Sequence, residues 1–194
     1  MNYILYGSLT SPYVRKLRMV LENLPYELRT LDVYSAQDGK AYNSVNPLNQ
    51  VPALIHDGKT ILDSRIIFSY LNDIHQFESR TIDDENILSI IDGAINAGIA
   101  LFQCKRSGLN SDDMNVMFYQ RHHDRISSAL SHLSAYLQHQ ACNEWNYNSI
   151  SLYCFLDWAF FRGVISQEKF PFTKAFMEAH SQRPIVIATQ IPKS

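Results

Sequence analysis

The sequence predicts an α/β region of about 76 residues followed by an all-helical region that takes up the rest of the chain. Short strand-like segments alternate with amphipathic helical segments in the first part, which is typical of a mixed sheet packed with helices. A polar stretch without periodicity follows at 75–86, and beyond it the apolar spacing is helical throughout. With 194 residues, 46% of them hydrophobic, the chain is long enough for two small domains.

The predicted order of elements in the first part is β-α-β-(α)-β-β-α. Pro12 suits the first position of a helix, where a missing N–H has no consequence. The pair Asp57-Gly58 predicts a tight hairpin turn between two short strands. The predicted segments are a strand at 2–6, a helix from Pro12 to about Leu24, a strand at 26–33, a short helix within 34–46, a hairpin within 51–63 and a helix that begins at Asp63 or Ser64.

Helical spacing of apolar residues predicts the second part. The segment 149–163 is apolar almost all round, which indicates a central buried helix, and Gly163 is placed to cap its end. The other predicted helices lie around 87–101, around 126–137 and at about 170–181, with a C-terminal extension after them. The resulting domains are 1–76 and 85–194, joined by a linker at 77–84.

Composition and charge exclude several classes of function. Seventeen basic and nineteen acidic side chains give a net charge of −2 without a basic stripe, so we expect no nucleic-acid partner. Apolar runs are interrupted every few residues, so we expect no membrane span. The three cysteines, Cys104, Cys142 and Cys154, are widely spaced and odd in number, which is typical of a reduced, cytoplasmic protein with cysteines as small core or surface residues. The adjacent His122 and His123 diverge on a helix and match no metal motif, so no metal is expected.

Ser11 lies where the first helix is predicted to begin. A helix N-terminus carries unsatisfied N–H groups and a partial positive charge, and it therefore favours an anion. A serine hydroxyl at this point adds one hydrogen bond, which would stabilise a bound thiolate and lower the pKa of that thiol. The plainer interpretation is that Ser11 only caps the helix, since serine is common at this position.

Two further turns in the same part of the chain carry polar groups suited to a peptide-like ligand. Pro52 stands directly before a predicted strand, and a cis bond after Val51 would leave the Val51 backbone N–H and C=O free to pair with such a ligand. At the next helix N-terminus, Asp63 and Ser64 would suit the ammonium and carboxylate of an amino-acid head group. A plain helix cap explains that pair equally well.

The stretches YGSLTSPYVRKLRMVLE, NPLNQVPALI and LDSRIIFSYL together resemble the glutathione transferase superfamily, in particular bacterial serine-type members with a TSPYVRK turn. The resemblance covers nearly the whole chain. It implies an α/β thioredoxin-like N-terminal domain plus an all-α C-terminal helical domain. It also implies an enzyme that conjugates the glutathione thiolate to small hydrophobic electrophiles, with glutathione as co-substrate and no metal.

The resemblance assigns roles to individual residues. Ser11 becomes the catalytic residue that hydrogen-bonds the glutathione sulfur, and Val51, followed by Pro52, pairs with the cysteinyl backbone. Asp63 and Ser64 hold the γ-glutamyl head group. Further roles are assigned near the glycine end and, from helix position alone, in the electrophile pocket: Gln50, Phe102 and Arg106. Tyr6, at the end of the first strand, stays open as an alternative partner of the sulfur, with Ser8 and Thr10 as lesser candidates.

Three positions depart from the family pattern. Asn49 stands where many relatives have glycine, although asparagine also tolerates a positive φ. Asp63 replaces a longer glutamate. Cys154, after Ser151, corresponds by this resemblance to an aspartate that completes a capping box in the central helix of relatives, so we expect packing to stabilise that helix. None of the three departures removes the proposed thiolate partner.

Two other functions remain open on the same scaffold. A glutathione-dependent disulfide reductase or deglutathionylase usually has cysteine where Ser11 stands. A non-catalytic regulatory protein would keep the fold and lack a working glutathione site.

The resemblance also implies a homodimer in which the N-terminal domain of one chain meets the helical domain of the other.

Overall fold

The computed structural model describes residues 3–32, 34–139 and 144–192; Cys142 and its predicted role lie outside these ranges. The chain divides into two compact units, one made of residues 1–79 and 183–194 and the other of residues 80–182. The first unit contains a four-stranded mixed sheet with helices, and the second is helical. Both parts of the predicted fold class are confirmed.

The described elements follow the predicted order through the first unit and continue with five further helices. The strands are β1 (Tyr3–Gly7), β2 (Tyr26–Thr30), β3 (Ala53–His56) and β4 (Lys59–Leu62). The helices are α1 (Pro12–Val20), α2 (Ala36–Tyr42), α3 (Ser64–His75), α4 (Ile82–Arg106), α5 (Met117–His139), α6 (Tyr147–Phe161), α7 (Thr173–Ser181) and α8 (Pro184–Ala188), with a short 3-10 helix at Gln167–Lys169.

The sheet has the strand order β2-β1-β3-β4, with β1 parallel to β2 and the other pairs antiparallel. The turn between β3 and β4 has positive φ at both Asp57 (48°) and Gly58 (75°). Two consecutive positive φ values are the backbone of a tight hairpin turn, so the prediction from this dipeptide is confirmed. Tyr6, Ala53 and Leu62 lie side by side across three strands.

The end of β1 lies very close to α1. A Cβ atom added to Gly7 would lie 2.4 Å from Cγ2 and 2.5 Å from Cγ1 of the buried Val14. Only glycine allows this approach, which brings the N-terminus of α1 directly against the end of the strand. The helix ends at Val20, one turn before the predicted Leu24, because the chain enters hydrogen-bonded turns after the cap at Leu21.

The core of the helical unit is built around α4, which packs against both α5 and α6 through apolar side chains. A capping box starts α4: the Thr81 hydroxyl accepts from the Asp84 N–H at 3.2 Å, and the Asp84 carboxylate accepts from the Thr81 N–H at 2.8 Å. This cap places the first turn of α4 inside the predicted linker 77–84. Among the described residues, α4 is the one helix long and apolar enough to cross a membrane, a test that buried core helices also pass.

The central helix α6 begins earlier than its sequence pattern predicts. Its N-cap is Asn146, whose side chain accepts from the Ser149 N–H at 3.0 Å. Ser151 and Cys154 are therefore interior positions, both fully buried, and the expected correspondence of Cys154 with a capping-box residue is wrong. The cap is supplied by an asparagine upstream of the apolar segment.

The C-terminal residues 183–192 group with the first unit, whereas the sequence predicts a helical domain that extends to 194. The buried Arg15 on α1 explains the difference. Its guanidinium donates to the Val186 carbonyl at 3.3 Å and to the Thr189 hydroxyl at 3.4 Å. Val186 and Thr189 are themselves buried, so the short helix α8 is an integral part of the first unit.

Candidate functional site

The register of the sheet gathers the predicted site segments at one end. Residues that follow Tyr6, residues that precede Ala53 and residues that follow Leu62 leave the sheet on the same side, because these three residues are paired across the strands. The turn before α1, the turn before β3 and the turn before α3 therefore lie next to one another. These are the three turns that the sequence analysis selected separately.

Ser11 is the N-cap of α1, as predicted. Its hydroxyl oxygen accepts from the Val14 N–H at 3.4 Å, a long and weak bond. The side chain is half-buried, and its hydroxyl proton has no acceptor within the described part of the chain. Ser8 holds the turn, since its carbonyl accepts from the Ser11 N–H at 3.1 Å and its hydroxyl lies 3.1 Å from that of Thr10. Ser11 is thus held in place, and its hydroxyl proton is available to donate a hydrogen bond.

Tyr6 has other partners. Its hydroxyl accepts from the Arg29 guanidinium at 2.8 Å, and Arg29 also pairs with Glu27 at 2.7 Å. The ring centroid of Tyr6 lies 5.8 Å from that of Tyr42 at the end of α2. The phenol of Tyr6 therefore belongs to a side-chain network that links β2 with α2.

The turn before β3 is organised by Asn46. Its side-chain oxygen accepts from the Leu48 N–H at 3.0 Å, and its carbonyl accepts from the Asn49 N–H at 2.9 Å. Asn49 has a φ of 49°, as expected for the residue that replaces glycine here. Val51–Pro52 is a cis peptide bond. The turn is closed by hydrogen bonds to the side chain and the backbone carbonyl of Asn46.

Val51 presents an unpaired backbone at the end of the sheet. Neither its N–H nor its C=O forms a hydrogen bond with residues in the ranges 3–32, 34–139 and 144–192. Most main-chain groups in a folded protein are paired, so an unpaired N–H and C=O on one half-buried residue indicate a place for a strand-like ligand. The adjoining Gln50 side chain is exposed.

Asp63 and Ser64 form the turn before α3. Asp63 has a φ of 68°, and one carboxylate oxygen accepts from the Arg65 N–H at 2.8 Å and from the Ile66 N–H at 3.3 Å. A left-handed conformation at a non-glycine residue costs free energy and often marks a functional position. Asp63 is exposed and Ser64 is buried, so the two polar groups of the turn lie at different depths.

Phe102 and Arg106, the two residues predicted for the electrophile pocket, lie one turn apart on α4 of the helical unit. Phe102 is half-buried, with its ring centroid 5.7 Å from that of Trp158 and the Arg162 guanidinium 4.9 Å above its face. It lines a shallow depression beside a cavity of about 320 Å³ that is lined partly by His123. Arg106 is exposed and lines neither cavity.

Two of the described histidines, His122 and His123, bond backbone carbonyls, and the two described cysteines lie in the helical unit. The His123 ring bonds the Ser111 carbonyl at 3.0 Å, and that of His122 bonds the Phe118 carbonyl at 2.7 Å. In the described ranges no group of three or more His, Cys, Asp or Glu side chains is placed to hold a metal ion. Cys104 and Cys154 lie on α4 and α6, in the helical unit.

Sequence reasoning missed Tyr42 and Asn46. Both are buried, and both donate to the Gln50 carbonyl, at 2.9 Å and 2.7 Å. An Asn-Pro pair indicates a turn, so the position of Asn46 was open to detection. The Tyr42 contact was not, because it depends on how α2 returns to the turn in three dimensions.

Comparison with known proteins identifies relatives of both units. The model of the glutathione S-transferase N-terminal domain family matches residues 5–79. The uncharacterised GST-like protein YibF of Escherichia coli (strain K12) is 30% identical over 145 residues, which are 69% of this chain and 69% of that protein. A probable maleylacetoacetate isomerase of Caenorhabditis elegans is 32% identical over 60 residues, but these cover 31% of this chain and only 28% of the isomerase.

Among solved structures, a glutathione transferase family member from Pseudomonas fluorescens Pf-5 with bound glutathione superposes with a TM-score of 0.84. It is 25% identical, and the match covers 98% of this chain and 100% of that one. The similarity therefore extends over the α/β and the helical parts alike.

Proposed function

The chain belongs to the glutathione S-transferase family, and on that premise we propose that it transfers the glutathione thiolate to small hydrophobic electrophiles. The proposal depends most on the unpaired backbone of Val51, which stands at the sheet end where the turns of Ser11 and Asp63 also lie. An extended peptide can pair with such a backbone as an added strand, while the neighbouring polar groups bind its ends. Glutathione is a peptide of this kind.

Each residue of the site has a separate task in this proposal. Val51 donates its N–H to, and accepts at its C=O from, the cysteinyl backbone. Asp63 and Ser64 bind the γ-glutamyl ammonium and carboxylate, and the exposed Gln50 is within the same turn for the glycine end. These contacts orient the thiol toward α1, and orientation of a reactant is itself a large part of catalysis.

Ser11 is the proposed catalytic residue. Its hydroxyl proton, which lacks an acceptor in the described part of the chain, donates to the sulfur, and the N-terminus of α1 adds its partial positive charge. Both interactions favour the thiolate over the thiol and so lower the thiol pKa. The thiol loses its proton to solvent, and the thiolate forms a carbon–sulfur bond. The leaving group then departs with its electron pair or, at a conjugated double bond, the resulting carbanion takes up a proton from solvent. Tyr6 stays the alternative donor, because the Arg29 guanidinium donates to its oxygen at 2.8 Å and leaves the phenol proton available.

Phe102 remains a candidate contact for an aromatic electrophile, and Arg106 remains a weaker one. The protein is further proposed to be a cytoplasmic homodimer, for which light scattering during gel filtration should give twice the mass of one chain.

Calorimetric titration with glutathione and turnover with a panel of aromatic halides and conjugated enones test the function. We expect binding with a dissociation constant in the millimolar range or below and saturable conjugation with at least one electrophile. A protein that gives neither a binding heat nor turnover is not a glutathione transferase. Glutathione binding without turnover would refute the transferase activity alone, whereas the absence of both would favour the non-catalytic alternative, which lacks a working glutathione site.

A further inference from the structure

We infer that Tyr42 and Asn46 are positioning residues that aim the Val51 N–H at the ligand by holding the Gln50 carbonyl. This inference rests on the proposed function, since it concerns how the same site binds the cysteinyl backbone. The Tyr42 hydroxyl donates to the Gln50 oxygen at 2.9 Å, and the Asn46 amide donates to the same oxygen at 2.7 Å.

The two bonds act on Val51 through the planarity of the peptide unit. The Gln50 C=O and the Val51 N–H belong to one peptide group, which is trans and therefore has these two bonds pointing in opposite directions. Two donors occupy both lone-pair directions of the oxygen. Rotation of this peptide plane would break both hydrogen bonds. The two bonds to the Gln50 carbonyl therefore fix the direction in which the Val51 N–H points.

Both donors are buried and stay available. Tyr42 is 3% exposed and Asn46 is 2% exposed, so water does not compete for the Gln50 oxygen at these contacts. Burial raises the pKa of the Tyr42 phenol to about 12, which keeps its proton in place at any physiological pH. The Asn46 amide has its orientation determined by a second contact, because its oxygen accepts from the Leu48 N–H at 3.0 Å.

The same arrangement strengthens the Val51 donor. Hydrogen bonds to a carbonyl polarise the peptide group and make its N–H a better donor. Loss of either side chain should thus weaken ligand binding through both direction and donor strength. The thiol chemistry at Ser11 should be untouched, because the effect acts on the peptide backbone of the ligand.

Two variants isolate these donors. Tyr42→Phe removes one hydroxyl and keeps the ring that lies against Tyr6. Asn46→Asp keeps an oxygen for the Leu48 N–H and replaces the donor with a carboxylate oxygen, which repels the Gln50 carbonyl. The matched control is Tyr70→Phe, which removes a hydroxyl bonded to the His56 ring at 2.8 Å, at the opposite end of β3.

Calorimetric titration measures the dissociation constants of glutathione and of S-methylglutathione, which has no ionisable thiol. We expect Tyr42→Phe to raise the dissociation constant of both ligands by the same factor, about three- to tenfold, as for loss of one buried hydrogen bond. Asn46→Asp should raise both by a larger common factor, because the carboxylate also repels the Gln50 carbonyl. The turnover rate at saturating glutathione and the pKa of the bound thiol should stay unchanged. Tyr70→Phe should lower the melting temperature without a change in either dissociation constant.

The outcomes separate this inference from the proposed function. Wild-type protein that binds neither ligand would refute the proposed function and the inference with it. Wild-type binding with unaltered affinity in both donor variants would refute the inference alone. A loss of affinity in Tyr70→Phe equal to that in Tyr42→Phe, at equal loss of melting temperature, would assign the effect to general stability and would also overturn it.

Discussion

Ser11 combines a structural and a proposed chemical role in one hydroxyl group. Its oxygen caps α1 through the Val14 N–H, and its proton is the proposed donor to the thiolate. The long capping distance of 3.4 Å leaves the hydroxyl able to turn toward a ligand. The two roles are separable, because a cap alone contributes to stability whereas the donor contributes to thiol ionisation.

Ser11→Ala should reduce kcat/KM about 10- to 100-fold, less than the loss of a full oxyanion donor because the helix N-terminus remains. The pKa of the bound thiol should rise toward its ordinary value of about 8.5, so the activity should require a higher pH. Assays of the conjugation rate at a series of pH values measure kcat/KM and its pH dependence. The ultraviolet absorbance of the thiolate, followed across the same pH range, measures the pKa of the bound thiol.

Ser35→Ala is the control for this variant. Ser35 caps α2 by accepting from the Asp38 N–H at 3.4 Å, the same distance as at Ser11. Both variants should lose about 1 kcal/mol of stability, as is typical of a lost N-cap. Only Ser11→Ala should move the pH profile; an equal shift in the two variants would remove Ser11 from the mechanism.

Gly7 is the residue on which the position of Ser11 depends. Gly7→Ala would set a methyl group 2.4 Å from Val14 and should destabilise the first unit by about 1 to 3 kcal/mol through overpacking. Gly93→Ala in α4 meets no atom within 4 Å and should stabilise by about 0.5 to 1 kcal/mol through helix propensity. Urea unfolding compares them, and equal effects of the two changes would contradict the close approach described here.

Local chemistry at single residues was predictable, and contacts between distant residues were not. Ser11, Pro52 and Asp63 could be selected from the sequence because caps and prolines act on neighbours in the chain. The hold of Tyr42 and Asn46 on the Gln50 carbonyl could not, because it requires the folded path of the turn. The partner of Tyr6 was equally hidden, since Arg29 lies across the sheet.

At the scale of elements, the caps decide where the helices of the second unit begin. The carboxylate of Asp84 accepts from both the N–H and the hydroxyl of Thr81, at 2.8 Å and 2.7 Å. These hydrogen bonds hold the pKa of Asp84 below its usual value. The start of α4 is therefore coupled to the charge of one carboxylate.

Asp84→Ala should lower the free energy of unfolding by about 1 kcal/mol at neutral pH. Asp83→Ala should lower it by less than about 0.5 kcal/mol, because it removes the same charge from an exposed residue that takes no part in the capping box. Because the folded pKa lies below the unfolded value, the cap stabilises fully above the unfolded pKa and is lost as pH falls through the folded one. Chemical unfolding at several pH values should show the gap between the variants closing toward about pH 3. A gap independent of pH would contradict a charged cap.

Helix and strand types were predictable from periodicity, and the ends less so. The prediction of a tight turn at Asp57-Gly58 was correct, because this dipeptide favours positive φ at both positions. The start of α6 was misplaced because Ser149 and Ser151 both resemble caps, while the actual cap, Asn146, precedes the apolar segment. The end of α1 differed because apolar spacing continues into the turn after Val20.

At the scale of the whole molecule, the chain returns to its first unit at its C-terminal end. The segment RPIVIATQ gave no sign of this in the sequence, because its burial depends on Arg15 more than 170 residues earlier. The α/β and helical halves were predictable from the change in periodicity and from the family resemblance. The membership of α8 was visible only in the fold.

Val186→Ala should destabilise the first unit by about 1 to 3 kcal/mol, because the side chain is 1% exposed and its loss leaves a cavity. Ile187→Ala removes a larger side chain from the same helix but should change stability by less than about 0.5 kcal/mol, since that residue is 49% exposed. Hydrogen exchange should speed up at the amides of α1 in the first variant alone. Unchanged exchange in α1 would show that α8 does not support it.

The crystal structure of the protein with glutathione tests the central claim most directly. The account predicts the cysteinyl backbone paired with Val51 and the sulfur within hydrogen-bonding distance of the Ser11 hydroxyl. Glutathione bound elsewhere, or bound at Val51 with its sulfur directed away from Ser11, would contradict the proposed mechanism.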